Sequence, residues 1–172
     1  MSFPFAAGGN VSKAPAPGET RKIALICAKG GLDECYPVLI MANAARMTGI
    51  ECKVFFTFYG LDVISKDRVD SLHVNFVGNP SSPMPVPYMV AGLPGMEALG
   101  TSFMKKKMED LDIPGVREMV TMLSDAGCEL YACELAMKMF DRTEEDLLPE
   151  VEAVITATDF FEKTGGHDII FV

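Results

Sequence analysis

Residues 22–58 read KIALICAKGGLDECYPVLIMANAARMTGIECKVFFTF, and this stretch decides the fold. Its two ends, 22–28 and 51–58, are short apolar runs typical of strands that are buried on both faces. A glycine turn leads from the first run into a predicted helix, which Asp33 is expected to cap. Two buried strands joined by a helix form the repeating unit of a parallel sheet.

Beyond this stretch the chain keeps alternating between apolar runs and helical patterns. The helix predicted from Asp112, its expected cap, to Gly127 has one apolar face, formed by Val116, Met119, Val120 and Leu123. Further helices are predicted over 96–111, 134–140 and 159–163, and further strands over 128–132, 151–156 and 169–172. The alternation predicts an α/β fold, a three-layer α/β/α sandwich with a mainly parallel five-stranded sheet.

The length of 172 residues favours a single domain. Residues 1–20 are rich in Pro, Gly and Ala and are expected to form a flexible N-terminal arm, which leaves 21–172 as the α/β domain. Within that domain, residues at about 67–95 are irregular and too long for an ordinary connection. We interpret them as an apolar loop insertion that is buried against the domain or against another subunit.

The net charge is −9 at pH 7, which gives the chain no general attraction to nucleic acid or to anionic lipid. The stretch 83–104 is apolar enough to suggest a membrane span, but its four prolines and three glycines do not suit an uninterrupted helix. The amino terminus lacks the basic start and apolar stretch of a secretory signal. We therefore predict a cytoplasmic protein that binds no nucleic acid and has no stable membrane insertion.

The chain has an odd number of cysteines and no Cys-x-x-Cys pair; they are Cys27, Cys35, Cys52, Cys128 and Cys133. This pattern is not that of a disulfide scaffold or a structural zinc site, so we expect free thiols, a reducing compartment and no metal. Five residues of extended strand span about 16 Å. A disulfide needs Cα atoms within about 7 Å, so Cys128 and Cys133 are too far apart to form one.

Cys133 is the thiol with the strongest indication of a chemical role. It is predicted to lie in the first turn of a helix, where unpaired N–H groups and the positive end of the helix dipole favour a thiolate. Glu134 opposes this effect with its negative charge, and Lys138 is expected to be too distant to offset it. Cys35 is a rival thiol early in a helix, whereas the thiols on strands are most simply buried apolar side chains.

Two other features are predicted at the same carboxyl edge of the sheet, where α/β proteins bind their ligands. The Gly30-Gly31 turn precedes a helix, so its N–H groups are candidates for binding an anion, and Tyr59 follows the second strand. The turn fits neither the dinucleotide fingerprint nor the P-loop, and a tight turn that needs glycine is the simpler interpretation. From the residues alone two functions stay open: thiol chemistry, or a non-catalytic, oligomer-forming module that binds a small anion or a nucleotide.

Several motifs together resemble the DsrE/DsrF/DrsH-like family of sulfur-relay proteins, particularly its branch with an extended middle loop. The similarity covers residues 22–172. Its most specific parts are FFTFYGL at 55–61 and the segment that runs from Gly127 to Cys133. The other matching pieces are GGLDECYP at 30–37, Ala42-Asn43-Ala44-Ala45, Pro94-Gly95-Met96 and Ala136-Met137.

The resemblance implies a compact α/β/α subunit in a homo-oligomer, acting as a sulfurtransferase or sulfur-trafficking protein without a cofactor. The family's persulfide-carrying cysteine follows the central strand, which here is Cys133. Its implied partners are a TusA-type sulfur carrier and a low-molecular-weight persulfide or polysulfide. In this hypothesis Tyr59 forms a wall of the site, and Glu134 is adjacent to the thiol in the sequence. Two positions depart from this branch, which often has Ser at Ala136 and Trp at Tyr59.

Overall fold

A computed structural model describes residues 21–74 and 95–172 of the chain. The predicted arm, 1–20, and most of the predicted loop insertion, 75–94, lie outside the described residues. None of the helices in the described part combines the length and the apolar character that crossing a bilayer requires.

The described residues form five strands, five α-helices and two short 3-10 helices. The strands are β1 (Lys22–Cys27), β2 (Glu51–Phe56), β3 (Glu129–Cys133), β4 (Ala153–Ile155) and β5 (Asp168–Phe171). The α-helices are α1 (Leu32–Met47), α2 (Met96–Asp110), α3 (Val116–Asp125), α4 (Glu134–Met139) and α5 (Ala157–Lys163). A 3-10 helix over Phe58–Ile64, called the 3-10 segment below, follows β2, and a shorter one covers Glu144–Asp146.

The five strands form one parallel sheet in the order β4-β3-β2-β1-β5. From β1 to β4 the chain steps across the sheet in one direction, and from β4 to β5 it returns to the opposite edge. Since crossovers between parallel strands are right-handed, the return places α5 on the face opposite to the other helices. The predicted three-layer α/β/α sandwich with a parallel five-stranded sheet is confirmed.

Side-chain packing agrees with this arrangement of layers. On one face, α1 packs against β1, β2 and α3. On the other face, Phe160 of α5 stacks on Phe55 of β2, with ring centroids 4.7 Å apart. Val54 and Phe56 of β2 are completely buried, as are Leu25 of β1 and Leu130 of β3, so the core lies around the three inner strands.

The described start of the predicted insertion is part of the core. Val69, Leu72 and Val74 are buried. The Val74 N–H donates a hydrogen bond to Thr101 Oγ1 of α2 at 3.0 Å, which joins this segment to the helix that follows the insertion. Residues 67–74 therefore pack against the domain.

The predicted cap of α1 at Asp33 is wrong. Both the cap and the helix start lie two residues earlier: Gly31 occupies the cap position, with an extended backbone and no capping side chain, and the helix begins at Leu32. The Leu32 N–H instead donates to the carbonyl oxygen of His73 at 2.8 Å. Because a neighbouring segment satisfies this N–H group, the helix begins without a side-chain cap, and Asp33 lies in its first turn.

The predicted cap of α3 at Asp112 is also wrong, since Gly115 occupies that position. Pro114 disfavours helical geometry at Ile113, so the helix begins only after the proline. Asp112 instead ends α2: its backbone has a left-handed φ of 53°, and its N–H donates to Glu109 O at 3.1 Å. Aspartate tolerates this conformation better than most residues do.

Candidate functional site

The loops that follow β1 and β2 are in direct backbone contact at the carboxyl edge of the sheet. The Thr57 N–H donates to the carbonyl oxygen of Cys27 at 2.9 Å. A Cβ atom added at Gly60 would lie 2.1 Å from that same oxygen, and one added at Gly30 would lie 2.4 Å from the carbonyl oxygen of Tyr59. No side chain of any size fits at either glycine, because both neighbours are main chain.

The surroundings of the Gly30-Gly31 turn favour the simpler interpretation, a tight turn that needs glycine. The Tyr59 carbonyl oxygen lies against Gly30, and Glu34 Oε2 lies 2.7 Å from the Cβ position of Gly31. These groups are hydrogen-bond acceptors, and Glu34 also forms an ion pair with Lys29, at 3.2 Å. Acceptors on this turn repel an anion, so the turn brings the two loops together. Anion binding here stays a prediction.

Cys133 lies at the end of β3, where the strand passes directly into α4. It is the last residue of β3 and the cap of α4, at the junction between the predicted strand and the helix predicted from 134, and it immediately precedes the first turn. Its φ of −77° and ψ of 117° are those of extended backbone. The residue is 7% exposed and is a register neighbour of Ile155 on β4.

The cap position places the Cys133 side chain at the start of α4. The cap side chain of a helix is the one closest to the N–H groups of the first turn, which have no acceptor within the helix. No side chain caps α4 through a hydrogen bond. These N–H groups are therefore donors available to a sulfur atom on Cys133.

Glu134 is turned toward the helix that it begins. Its carboxylate forms an ion pair with Lys138, one turn further along α4. The expectation that Lys138 is too distant to offset the charge of Glu134 is wrong, because residues four apart on a helix lie side by side. The pair reduces the negative charge that Glu134 presents to Cys133.

Exposed apolar side chains lie on α4 and on the 3-10 segment, which pack against each other. The Tyr59 ring contacts the Phe140 ring, with centroids 5.4 Å apart and a tilt of 37°. The exposed members of this group, which we call the apolar rim, are Phe58, Tyr59, Leu135 and Met139. Tyr59 is the more exposed of the two aromatic members, at 65%. It was predicted from the sequence as a site residue, whereas the other three were not.

Arg142 ties the 3-10 segment to the end of α4 and could not be identified from the sequence. Its guanidinium forms an ion pair with Asp62 at 2.5 Å and a hydrogen bond to Ser65 Oγ, while its backbone N–H donates to Met137 O at 2.9 Å. Both charged side chains are largely buried. This cluster holds the apolar rim in position beside Cys133.

The backbone at Phe58 is strained, since its φ of 47° lies in the left-handed region. A bulky side chain rarely adopts this conformation, and strained residues cluster at functional sites. Phe58 immediately precedes Tyr59 at the carboxyl edge of β2. The strain therefore falls in the loop that presents the rim.

The other four cysteines are free thiols, as is Cys133. Burial raises the pKa of Cys27 to about 12 and that of Cys35 to about 12, so both stay protonated near neutral pH. Cys27 Sγ donates to Lys29 O, and Cys35 Sγ donates to Leu32 O. Cys52 and Cys128 lie at the opposite, amino edge of the sheet. Within the part of the chain that the structure describes, no three His, Cys, Asp or Glu residues are grouped to hold a metal ion.

Comparison with known proteins agrees with the sequence motifs. The sequence profile of the DsrE/DsrF/DrsH-like family matches residues 19–171. The chain is 36% identical over 157 residues to the sulfur carrier protein DsrE2 of Allochromatium vinosum, covering 88% of this chain and 97% of the relative. It is also 22% identical over 157 residues to the uncharacterized protein YrkE of Bacillus subtilis, covering 90% and 98% of the two chains.

A solved structure shares the fold. The crystal structure of the ychN protein from E. coli superposes with a TM-score of 0.53, covering 90% of this chain and all of the other. The sequence identity is 10%, so this likeness concerns the fold alone.

Proposed function

The chain belongs to the DsrE/DsrF/DrsH-like family, and from that premise we propose that it carries sulfane sulfur as a persulfide on Cys133. The observation that carries the proposal is the position of Cys133, a free thiol at the cap of α4 and at the carboxyl edge of the sheet. Similarity to a protein named as a sulfur carrier supports a role in sulfur relay. The motif that contains Cys133 is also among the most specific of the resemblance.

The proposed reaction is a pair of sulfur transfers. The Cys133 thiolate attacks a sulfane sulfur of a low-molecular-weight persulfide or polysulfide, a new S–S bond forms, and the shortened donor leaves with the electron pair of the broken bond. A thiolate of the acceptor then attacks the outer sulfur and returns Cys133 as a thiolate. The sulfur atom keeps its oxidation state, so neither step needs a cofactor.

The N–H groups at the start of α4 are suited to the persulfide as well as to the thiolate. A persulfide adds one sulfur to the side chain and keeps its negative charge on the outer atom. Charge-assisted hydrogen bonds from backbone N–H groups are stronger than those to neutral acceptors. The ion pair of Glu134 with Lys138 reduces a charge that would otherwise oppose both anions.

We further propose that the acceptor is a TusA-type sulfur carrier that docks on the apolar rim. Phe58, Tyr59, Leu135 and Met139 are each about half exposed or more, and they lie on the two elements that flank Cys133. Because Cys133 itself is only 7% exposed, a partner must approach closely to reach its sulfur. Five free thiols fit a reducing compartment, so we propose the cytoplasm as the location.

Transfer to a carrier tests this function directly. The chain, loaded with polysulfide and freed from excess donor, is mixed with a TusA-type carrier, and intact mass is followed. We expect about 32 Da, the mass of one sulfur atom, to leave this chain and to appear on the carrier. A carrier whose reactive Cys is replaced by Ser is the control and should gain nothing. Sulfur that stays on the loaded chain would contradict the proposed exchange.

We also propose that the chain assembles with further copies of itself. At the sheet edge formed by β5, Ile169 and Phe171 are both substantially exposed, and Phe171 is 68% exposed. Apolar side chains concentrated in one patch favour association. The apolar stretch 83–104 is also predicted to be buried between subunits. This stays a prediction, because most of that stretch lies outside the described residues.

Light scattering tests the assembly. At micromolar concentration the chain is expected to have the mass of an oligomer, and Phe171→Asp is expected to shift it toward the monomer. Met47→Asp replaces an exposed apolar residue on α1 and should leave the mass unchanged. A monomeric mass for the unmodified chain would rule out the proposal.

A further inference from the structure

Cys52 and Cys128 lie side by side at the amino edge of the sheet. Lys53 of β2 pairs in register with Glu129 of β3, so the residues before them, Cys52 and Cys128, are neighbours on the two parallel strands. Adjacent strands lie about 4.8 Å apart. This separation falls within the range of about 4.4–6.8 Å between Cα atoms that a disulfide requires.

The two thiols interact with each other. Hydrogen bonding between them lowers the pKa of Cys52 and raises that of Cys128, to which burial also contributes. The lowered pKa makes Cys52 the more readily ionised of the two thiols. Cys27 and Cys35 differ from this pair, because each donates its S–H to a backbone carbonyl oxygen and burial raises the pKa of both.

Arg46 of α1 provides a positive charge over the pair. Its side chain donates to Ala126 O at 2.8 Å and to Ile50 O at 3.0 Å, the carbonyls two residues before Cys128 and Cys52 respectively. The charge of the guanidinium favours the ionised form of either thiol. Arg46 therefore joins the chain leading into β2 to the chain leading into β3 and places a cation beside the sulfurs.

We propose that Cys52 and Cys128 are a redox-active dithiol, which a peroxide oxidises to an intramolecular disulfide that links β2 to β3. The residues are buried, but exposed turns lie directly beside them at 47–49 and 125–127. The pair therefore lies close beneath two surface turns. The site is separate from the carboxyl edge, since Cys128 and Cys133 are five strand residues apart, about 16 Å.

The chemistry balances with peroxide as the oxidant. The Cys52 thiolate attacks one peroxide oxygen, the O–O bond breaks, and the leaving hydroxide takes up the proton released by the thiol, giving water and a sulfenic acid. The Cys128 sulfur then attacks the Cys52 sulfur. The S–O bond breaks, hydroxide leaves with the Cys128 proton as a second water, and the S–S bond is formed. Two electrons pass from the thiols to the peroxide.

Peptide mapping of the oxidised chain tests the proposal. Trypsin places Cys52 in the peptide 47–53, and Cys128 together with Cys133 in the peptide 118–138. The full chain carrying Cys133→Ser is treated with equimolar hydrogen peroxide, alkylated after unfolding and digested. We expect 47–53 to be joined to 118–138, at a mass about 2 Da below the sum of the two peptides, because two hydrogens are lost.

Two controls make the assignment specific. Adding Cys52→Ala should remove the linked species and leave Cys128 open to alkylation. In the unmodified chain, a further cut after Glu129 separates Cys128 from Cys133, so the same link can be read without any substitution. A link between 23–29 and 30–46 in place of this one, which joins Cys27 to Cys35, would overturn the proposal. So would full alkylation of Cys52 after peroxide treatment. Neither outcome bears on sulfur loading at Cys133.

Discussion

Replacement of Cys133 by serine is expected to abolish sulfur loading. With excess polysulfide, the unmodified chain should gain about 32 Da on the peptide that contains Cys133, and the Cys133→Ser chain should gain none there. A hydroxyl at this position is not ionised near neutral pH and does not attack sulfane sulfur. Serine is also a favourable helix cap, so the free energy of unfolding should change by about 1 kcal/mol or less.

Two other substitutions show whether the loss is specific to Cys133. Cys35→Ser keeps a donor for the hydrogen bond to Leu32 O and removes a buried thiol, so loading should remain at the level of the unmodified chain. Cys128→Ser removes the other thiol of the same tryptic peptide, and loading of that peptide should persist. If Cys133→Ser still loads fully, while Cys35→Ser or Cys27→Ser does not, the sulfur is carried by one of those thiols instead.

Among substitutions of a described glycine by alanine, Gly60→Ala is expected to destabilise the fold the most. Its Cβ would lie 2.1 Å from the carbonyl oxygen of Cys27 and 2.8 Å from the carbonyl carbon, so one of the two crossing loops must move. Overpacking against main chain of this kind costs about 3 kcal/mol. For a chain of this size that corresponds to a fall in melting temperature of about 6–12 °C.

Gly165→Ala is the matched control for this substitution. Its Cβ would meet Glu162 O at 3.7 Å, an ordinary van der Waals contact, so the melting temperature should change by about 2 °C or less. Denaturant titration of both variants separates a loss of stability from a change in the unfolded state, because only the latter alters the slope. A Gly60→Ala chain as stable as Gly165→Ala would mean that the loops after β1 and β2 are not in contact.

The fold could be predicted from the sequence because buried parallel strands have a strong local signature. The runs at 22–28 and 51–58 are too apolar for exposed strands, and helices between them require right-handed crossovers. The helix caps were harder to predict. Asp33 and Asp112 are good capping residues, but neither caps its helix. The Leu32 N–H donates to His73 O at the start of α1, and Pro114 delays the start of α3.

The candidate site could be predicted from the sequence only in part. Cys133 and Tyr59 stand at predicted strand ends, so their approach at one edge follows from the parallel sheet. Arg142 and Asp62 are 80 residues apart in sequence, and no local pattern joins them. The pairing of Cys52 with Cys128 depends on the register of β2 and β3, which single residues do not determine.

The crossing of the two loops bears on how an alignment of relatives should be interpreted. Gly30 and Gly60 lie at the same edge of the sheet as Cys133. At both positions only glycine fits, because neighbouring main chain leaves no space for a Cβ atom, and neither residue contributes a functional group. If both glycines are invariant among relatives, the reason is therefore a steric limit of the fold, and their invariance gives no information about function. Tyr59 is 65% exposed and bears no such limit. Variation at Tyr59 among chains that keep both glycines and the cysteine would follow the identity of the partner protein.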